Sequence, residues 1–273
     1  MKLPTFLKWA GGKRRIIDQI VPTFPKKVSR YFEPFLGGGV MFFYVKKVYN
    51  PEYCEISDIN KELIDAYIAV RDNPQELMNF LKYFRKQNSE KYYYSLRKRF
   101  NQNKILGLRR AAAFIYLNKT CFNGLYRVNS KNEFNVPCGK YESPPIFDKE
   151  VILEASNLLQ GVKIKHQDYK AILPRTRKGD LVYLDPCYDP LKRTSFANYT
   201  PKRFCEEDRV DLAKFMGRLR DKGAEIRLSN NDIPEVRGIY VSYEILPIFA
   251  PRSINSVGSQ RGNIQELLII NRR

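Results

Sequence analysis

The sequence predicts an α/β fold, a doubly wound parallel sheet interrupted by a mainly helical, basic insertion. Three observations carry this. Strand-length apolar runs alternate with helix-length segments in residues 1–58 and again in 146–273. A glycine turn joins the first strand to the helix that follows it. Fourteen Lys/Arg against two acids, Glu90 and Glu133, fall between Lys82 and Lys140, which puts +12 of the chain's net +19 into one stretch. The expected division is 1–58 with 146–273 as one domain and 59–145 as an insert.

Taken in order, residues 28–33 read as a short strand ending on Glu33, and Pro34-Phe35-Leu36-Gly37-Gly38-Gly39 as a tight turn. Residues 40–48 are an apolar stretch of helix length, and 53–58 a second strand ending on Asp58. The spacing of Leu63, Tyr67 and Val70 predicts a helix over 59–71, followed by helices over 74–86, 91–101 and 108–117. Residues 123–141, rich in Asn, Gly and Pro, read as an extended loop with a hairpin. After Pro144-Pro145 the alternation resumes with a helix over 149–159 and a strand over 162–168 ending on Asp168. The fully apolar run 181–184 is the kind of strand found centrally in a parallel sheet. An amphipathic helix over 208–222, a strand over 225–230 and closing strands over 240–246 and 266–271 complete the chain.

Composition narrows the function. Of 273 residues, 43% are hydrophobic and 13% aromatic, enough for a packed core and too many for a disordered chain. No apolar run approaches the roughly 18 residues of a membrane helix. A second lysine at position 8 interrupts any signal-peptide core. Five scattered cysteines (54, 121, 138, 187 and 205) without a CxxC argue against disulfides and structural zinc, so no metal and a reducing cytoplasm are expected. A polyanion is the first partner to expect of so basic a chain. In the insert, Arg97-Lys98-Arg99, Lys104 and Arg109-Arg110 interleave with Tyr92, Tyr93, Tyr94, Phe100, Tyr116, Phe122 and Tyr126. Any single lysine here reads most simply as solvated surface. The cluster reads as nucleic-acid binding, since cations neutralise phosphates and aromatic rings stack on bases.

Two turns carry chemistry. A strand, a glycine turn and a helix, with an acid (Asp58) about 20 residues on, form a nucleotide-like cofactor site in doubly wound sheets, although such turns often serve only tight packing. Here a carboxylate, Glu33, stands at the mouth of the turn. It would repel a pyrophosphate and suits a cofactor with a cationic end, which favours S-adenosylmethionine over NAD. The second turn, Asp185-Pro186-Cys187-Tyr188, follows the apolar strand and so lies at the ligand-binding edge of the sheet. An exocyclic amine of a nucleobase is a poor nucleophile because its lone pair is delocalised. A carboxylate and a backbone carbonyl that accept its two protons localise that pair toward an electrophile. Proline fixes φ and helps hold the carbonyl, and Tyr188 can stack on a flipped base.

These segments resemble, in order and over nearly the whole chain, the DNA adenine-N6 methyltransferases of the Dam/DpnM type (D12 class, alpha group). The resemblance rests on Leu7-Lys8-Trp9-Ala10-Gly11-Gly12-Lys13, Phe32 through Gly39, Ser57-Asp58-Ile59-Asn60, Asn118 through Arg127, Glu133-Phe134-Asn135-Val136-Pro137, Leu228 through Asp232 and Arg252-Ser253-Ile254. It implies a Rossmann-like S-adenosylmethionine-dependent sheet with an inserted DNA-recognition domain acting on double-stranded DNA. By the same resemblance Trp9, Ala10, Lys13, Glu33, Phe35, Gly37, Gly39, Asp58, Asp168 and Asp185 hold the cofactor. Asp185, Pro186 and Tyr188 carry the chemistry. Lys8, Phe122, Asn123, Leu125, Arg127, Pro137, Lys140, Arg252 and Ser253 contact DNA, with Arg127 facing a guanine, and the family most often reads GATC. Two settings are open by this resemblance: a restriction-modification system with a restriction endonuclease of the same specificity, not in direct contact, or a solitary enzyme of replication, repair or gene control.

Two residues depart from the family pattern: Cys187, where proline is usual, and Lys140, where arginine is common. Pro186-Cys187 also imitates the nucleophile of a cytosine-C5 enzyme, but the flanking Asp185 and Tyr188 suit amino methylation. N4-cytosine methylation, a catalytically silent DNA-binding module and a nicotinamide oxidoreductase are the alternatives; the last leaves the basic insert without a purpose. His166, two residues before Asp168, reads as a strand residue without catalytic duty.

Overall fold

The computed structural model describes residues 1–187, 206–251 and 263–271. Among them, strands β1 (Arg30–Glu33), β2 (Tyr53–Asp58), β3 (Lys163–His166), β4 (Leu181–Leu184), β5 (Glu225–Asn231), β6 (Glu244–Pro251) and β7 (Asn263–Ile270) form one sheet in the order β3-β2-β1-β4-β5-β7-β6. The first five run parallel, and β7 lies antiparallel between β5 and β6. This is a Rossmann-like α/β architecture. All four residues of β4 are buried, as its unbroken apolar run requires of a central strand. The chain runs outward from β1 through β2 to β3, then crosses back to place β4 on the other flank of β1. The strand order therefore reverses between β1 and β4, and in open α/β sheets ligands bind outside the carboxyl ends of the strands at such a reversal.

Local chemistry sets the helix boundaries. Helices α1 (Ile17–Ile20) and α2 (Val40–Val48) lie on either side of β1 in the chain. In α3 (Lys61–Asp72) the Asn60 side chain accepts from the Leu63 amide at 3.1 Å, and α4 (Pro74–Lys86) opens with proline at its first position. Ser89 caps α5 (Glu90–Asn101), while α6 (Gly107–Thr120) runs nearly all buried from Ala111 to Thr120. Asp148 caps α7 (Lys149–Leu159), and α8 (Glu206–Asp221) and α9 (Pro234–Ile239) complete the set among the described residues. One buried apolar cluster continues from Tyr31 and Ile56 on the sheet through Leu63 and Tyr67 to Leu77, Phe84, Tyr93 and Phe114, so α3–α6 rest on the sheet without a break in packing.

Two expectations need correction. Residues 240–243 form a turn after α9, not the start of a strand, and β6 begins at Glu244. Tyr240 and Tyr243 looked like strand residues because they are aromatic, yet both are buried against the sheet from the turn. The interleaved aromatics of the insert also divide. Tyr93, Phe100, Tyr116 and Tyr126 are core residues, because the helix period turns 93, 96 and 100 inward together; Tyr94 and Phe122 are exposed.

Arg110 is a strut between α3, α5 and α6, not a free cation. Its Nη2 lies 2.7 Å from Glu62 Oε1 and its Nη1 donates to the Phe100 carbonyl at 2.9 Å, joining α6 to α3 and to the end of α5. Arg110→Met is expected to cost about 2 kcal/mol, since charged hydrogen bonds contribute about 1.5–3 kcal/mol and Glu62 is left unpaired. Urea unfolding measures this, and Glu62→Gln in the same chain should recover part of the loss.

Candidate active site

The carboxyl ends of β1 and β4 deliver two acids to one edge of the sheet. Glu33 ends β1, nearly sealed at 2% exposure, and accepts from the Tyr31 hydroxyl at 2.6 Å. Burial, reinforced by the nearby charges of Asp185 and Asp58, holds its carboxyl well above the usual range despite the Tyr31 hydrogen bond. Asp185 follows β4 and takes the Lys13 ammonium on Oδ1 at 2.9 Å. Lys13 is buried; its Nζ also donates to the Gly11 carbonyl at 2.9 Å and lies 3.7 Å from Glu266 Oε2. Burial alone would lower the lysine's proton affinity, but Asp185 and Glu266 more than offset it, so Lys13 stays charged.

The glycine turn closes the same edge. Gly37 donates its amide to Asp58 Oδ2 at 3.1 Å, and Asp58 also accepts from the Asn60 amide at 2.9 Å. Burial raises the Asp58 carboxyl even so. Gly37 has φ of 48°, and a Cβ there would meet the Trp9 ring at 2.9 Å. Trp9 therefore packs directly over the turn, stacked on Tyr126 with centroids 5.7 Å apart. Ala10 beside it is exposed. Phe35 stacks on Tyr169 at 5.2 Å. Asp168 is exposed just past β3, where its Oδ1 caps the next turn through the Lys170 amide at 2.8 Å. Pro186 is buried and Cys187 exposed. Tyr188, Arg252 and Ser253 lie outside the described residues.

The expected DNA contacts gather where the N-terminal segment meets the end of α6. Asn118 grips the Lys8 backbone from both sides, accepting its amide at 2.9 Å and donating to its carbonyl at 2.7 Å. The approach is close enough that a Cβ on Gly124 would sit 2.4 Å from Lys8 Cβ. Lys8 Nζ stands 4.2 Å over the Tyr141 ring. Phe122, Asn123, Pro137 and Lys140 are exposed and Leu125 is half-buried. Asn123 adopts left-handed φ of 53°. An antiparallel bridge between Cys121 and Cys138 closes the loop at its base, and a second joins Val128 to Phe134. Arg127 is held in place by Asn135, which accepts its Nε at 2.7 Å.

Three participants escaped sequence reasoning. Tyr31 was legible, since residues two apart on a strand share a face. Glu266 had no local signal. Lys119, beside Lys8 at the end of α6, is pushed down to about 8 by burial and by the charges of Lys8 and Arg14.

The arrangement is an acidic cluster at the β1–β4 reversal: Asp185 and Glu266 share one buried lysine, and Glu33 lies near Asp185 and Asp58, in a chain of net charge +19. It can hold a cationic ligand and accept protons from an amine. Comparison with known proteins agrees. Residues 9–254 match the family described as D12 class N6 adenine-specific DNA methyltransferase. The type II methyltransferase M.MjaIII of Methanocaldococcus jannaschii is 40% identical over 99% of this chain and 100% of its own length. M1.LlaDCHI of Lactococcus lactis subsp. cremoris, also a type II methyltransferase, is 39% identical over 99% of this chain and 96% of its own. The DNA adenine methylase of Escherichia coli K12 is 32% identical over 97% of this chain and 94% of its own. Acidic cluster, fold and relatives lead to one assignment: the chain belongs to the D12 class of N6 adenine-specific DNA methyltransferases, enzymes that act on DNA with a methyl donor.

Proposed function

We propose that the protein transfers the methyl group of S-adenosylmethionine to N6 of an adenine flipped out of duplex DNA, within GATC, in the cytoplasm. The observation that carries this reading is the acidic cluster at the β1–β4 reversal beside a basic, exposed loop. No helix among the described residues is long and apolar enough to cross a membrane. The residues fit the donor: Glu33 is a buried carboxyl suited to a cationic end, and the positive φ of Gly37 and Gly39 lets the turn close tightly under Trp9 and Tyr67 with the Gly37 amide on Asp58. Trp9, Ala10, Lys13, Glu33, Phe35, Gly37, Gly39, Asp58, Asp168 and Asp185 would hold it. When bound, the donor supplies an electrophilic methyl on a sulfonium.

The chain's own residues do the rest. Lys8, Arg127 and the exposed loop of Phe122, Asn123, Leu125 and Pro137 engage the duplex, with Lys140, Arg252 and Ser253 on its backbone. Phe122 or Leu125 fills the space the adenine leaves, and Tyr188 stacks on the extruded ring. The Asp185 carboxylate and the Pro186 carbonyl accept hydrogen bonds from the two N6–H groups, which localises the nitrogen lone pair for in-line attack on the donor's methyl carbon, whose bond to sulfur would break to leave a neutral thioether. Asp185 then takes the proton that N6 sheds. Fixed electrostatics and positioning supply the rate.

Labelled S-adenosylmethionine offered with a GATC duplex and with one whose adenine is replaced tests the reading. Label confined to N6-methyladenine in the first duplex is expected. Label on cytosine N4 would overturn the target, equal label in both duplexes the specificity, and none in either, with DNA still bound, the activity.

Glu33 yields a second expectation. Its folded carboxyl holds a proton that the unfolded chain releases near pH 4.3, so stability from this group is full below that pH and falls as pH rises toward the folded value. A cation bound beside it favours ionisation. Donor binding should therefore release up to about one proton, and affinity should rise with pH by up to about tenfold per unit. Calorimetry in buffers of different ionisation heat reads that proton, and Glu33→Gln should abolish its release.

A further inference from the structure

Lys13 has more counter-charge than it needs. It is buried at 4% exposure, and Asp185 at 2.9 Å already balances it. A second carboxylate, Glu266, nevertheless reaches its ammonium at 3.7 Å. Glu266 comes from near the start of β7, the antiparallel strand between β5 and β6. It stands in register with Asn231, the last residue of β5, and so at the same carboxyl edge as Asp185. A second carboxylate beside Asp185 adds like-charge repulsion that the shared lysine offsets.

We infer that Glu266 is a positioning residue for methyl transfer: it shares the Lys13 ammonium with Asp185 and limits how far that cation neutralises the carboxylate facing the target amine. The inference rests on the proposed amino-methylation reading and deepens it. An acceptor held by a full, undivided ammonium draws less strongly on the N6 protons, so the amine lone pair is less available. Dividing the ammonium between two acids keeps Asp185 a strong acceptor while Lys13 stays charged and in place. Such a residue acts on the chemical step through Lys13, and need not alter how tightly the cofactor binds.

The test is Glu266→Gln, which keeps the shape and removes the charge. The single-turnover rate of N6 methylation is expected to fall about tenfold, with KM for the donor unchanged within about twofold. S-adenosylhomocysteine affinity, measured by calorimetry without DNA, should stay within about threefold, and the thermal midpoint should hold. In a Lys13→Met background Glu266→Gln should bring no further loss of rate, because the path runs through the lysine. Glu266→Asp, which withdraws the charge by one methylene, should fold with an intermediate rate and serves if the glutamine variant does not fold. An unchanged rate would overturn the inference, as would S-adenosylhomocysteine affinity falling in step with the rate. A wild-type chain that labels neither duplex would instead remove the underlying reading, and this inference with it.

Discussion

Asp185→Ala is expected to abolish methyl transfer, by about 10³-fold or more, while retention of duplex DNA stays unchanged. Asp185 sits at the β4 end of the strand reversal, 20% exposed, and in the proposed reading it is the acid that faces the incoming amine. On that reading, removing it withdraws the acceptor that localises the N6 lone pair. The fold should survive, because the Lys13 ammonium keeps Glu266 as counter-charge and the Gly11 carbonyl as acceptor, and no isolated buried cation results. DNA binding should survive because Lys8, Phe122 and Arg127 stand on the N-terminal segment and the loop after α6, held by Asn118 and Asn135, neither of which Asp185 supports. Asp185→Asn should be nearly as inactive: an amide preserves the shape but presents a donor where an acceptor is needed. Single-turnover methylation and filter retention of the duplex, measured on the same preparations, read the two halves separately. Full activity in Asp185→Ala would sink the proposed chemistry outright.

Legibility in the sequence followed the range of the physics. Local signals were sufficient where a glycine turn or a proline punctuates the chain: β1, α2, β2, α4, α7 and β4 end within about two residues of where spacing and caps put them. The short α9 was missed because six residues carry less than two turns of periodicity, and its trailing tyrosines then imitated a strand. The site divides the same way. Glu33, Asp58 and Asp185 could be read because each ends a strand next to a recognisable turn. The contact of Lys13 with Asp185 and Glu266 spans 172 and 253 residues, and depends on β7 inserting between β5 and β6, which no local pattern reports. Likewise, fourteen cations could be counted between Lys82 and Lys140, but that Arg110 braces Glu62 while Lys8 points over Tyr141 is a tertiary fact.

Gly39→Ala should be among the most damaging single-methyl substitutions in the chain. Gly39 caps α2 with φ of 66°, a left-handed conformation that costs an L-residue about 1–2 kcal/mol. The added Cβ would also fall 2.5 Å from the Tyr67 hydroxyl oxygen and 3.3 Å from its ring carbon Cζ. Tyr67 cannot retreat, since it is fully buried, with the Phe6 ring edge-on at 4.8 Å and Phe43 behind it, and its hydroxyl donates to the Gly37 carbonyl at 3.2 Å. Overpacking of this kind adds about 1–3 kcal/mol, so the total expected loss is about 2–5 kcal/mol. The strain would pass to Gly37, whose amide holds Asp58, so donor affinity should fall along with stability. The two causes can be separated. Tyr67→Phe in the Gly39→Ala chain removes the clashing oxygen and should restore the steric share, leaving the conformational share in place. Gly161→Ala isolates that conformational share: its φ is 73°, but nothing stands within 4 Å of the new Cβ, so only about 1–2 kcal/mol should be lost. Equal losses at Gly39 and Gly161 would mean that the turn needs glycine for its φ alone, and that Tyr67 does not press on it.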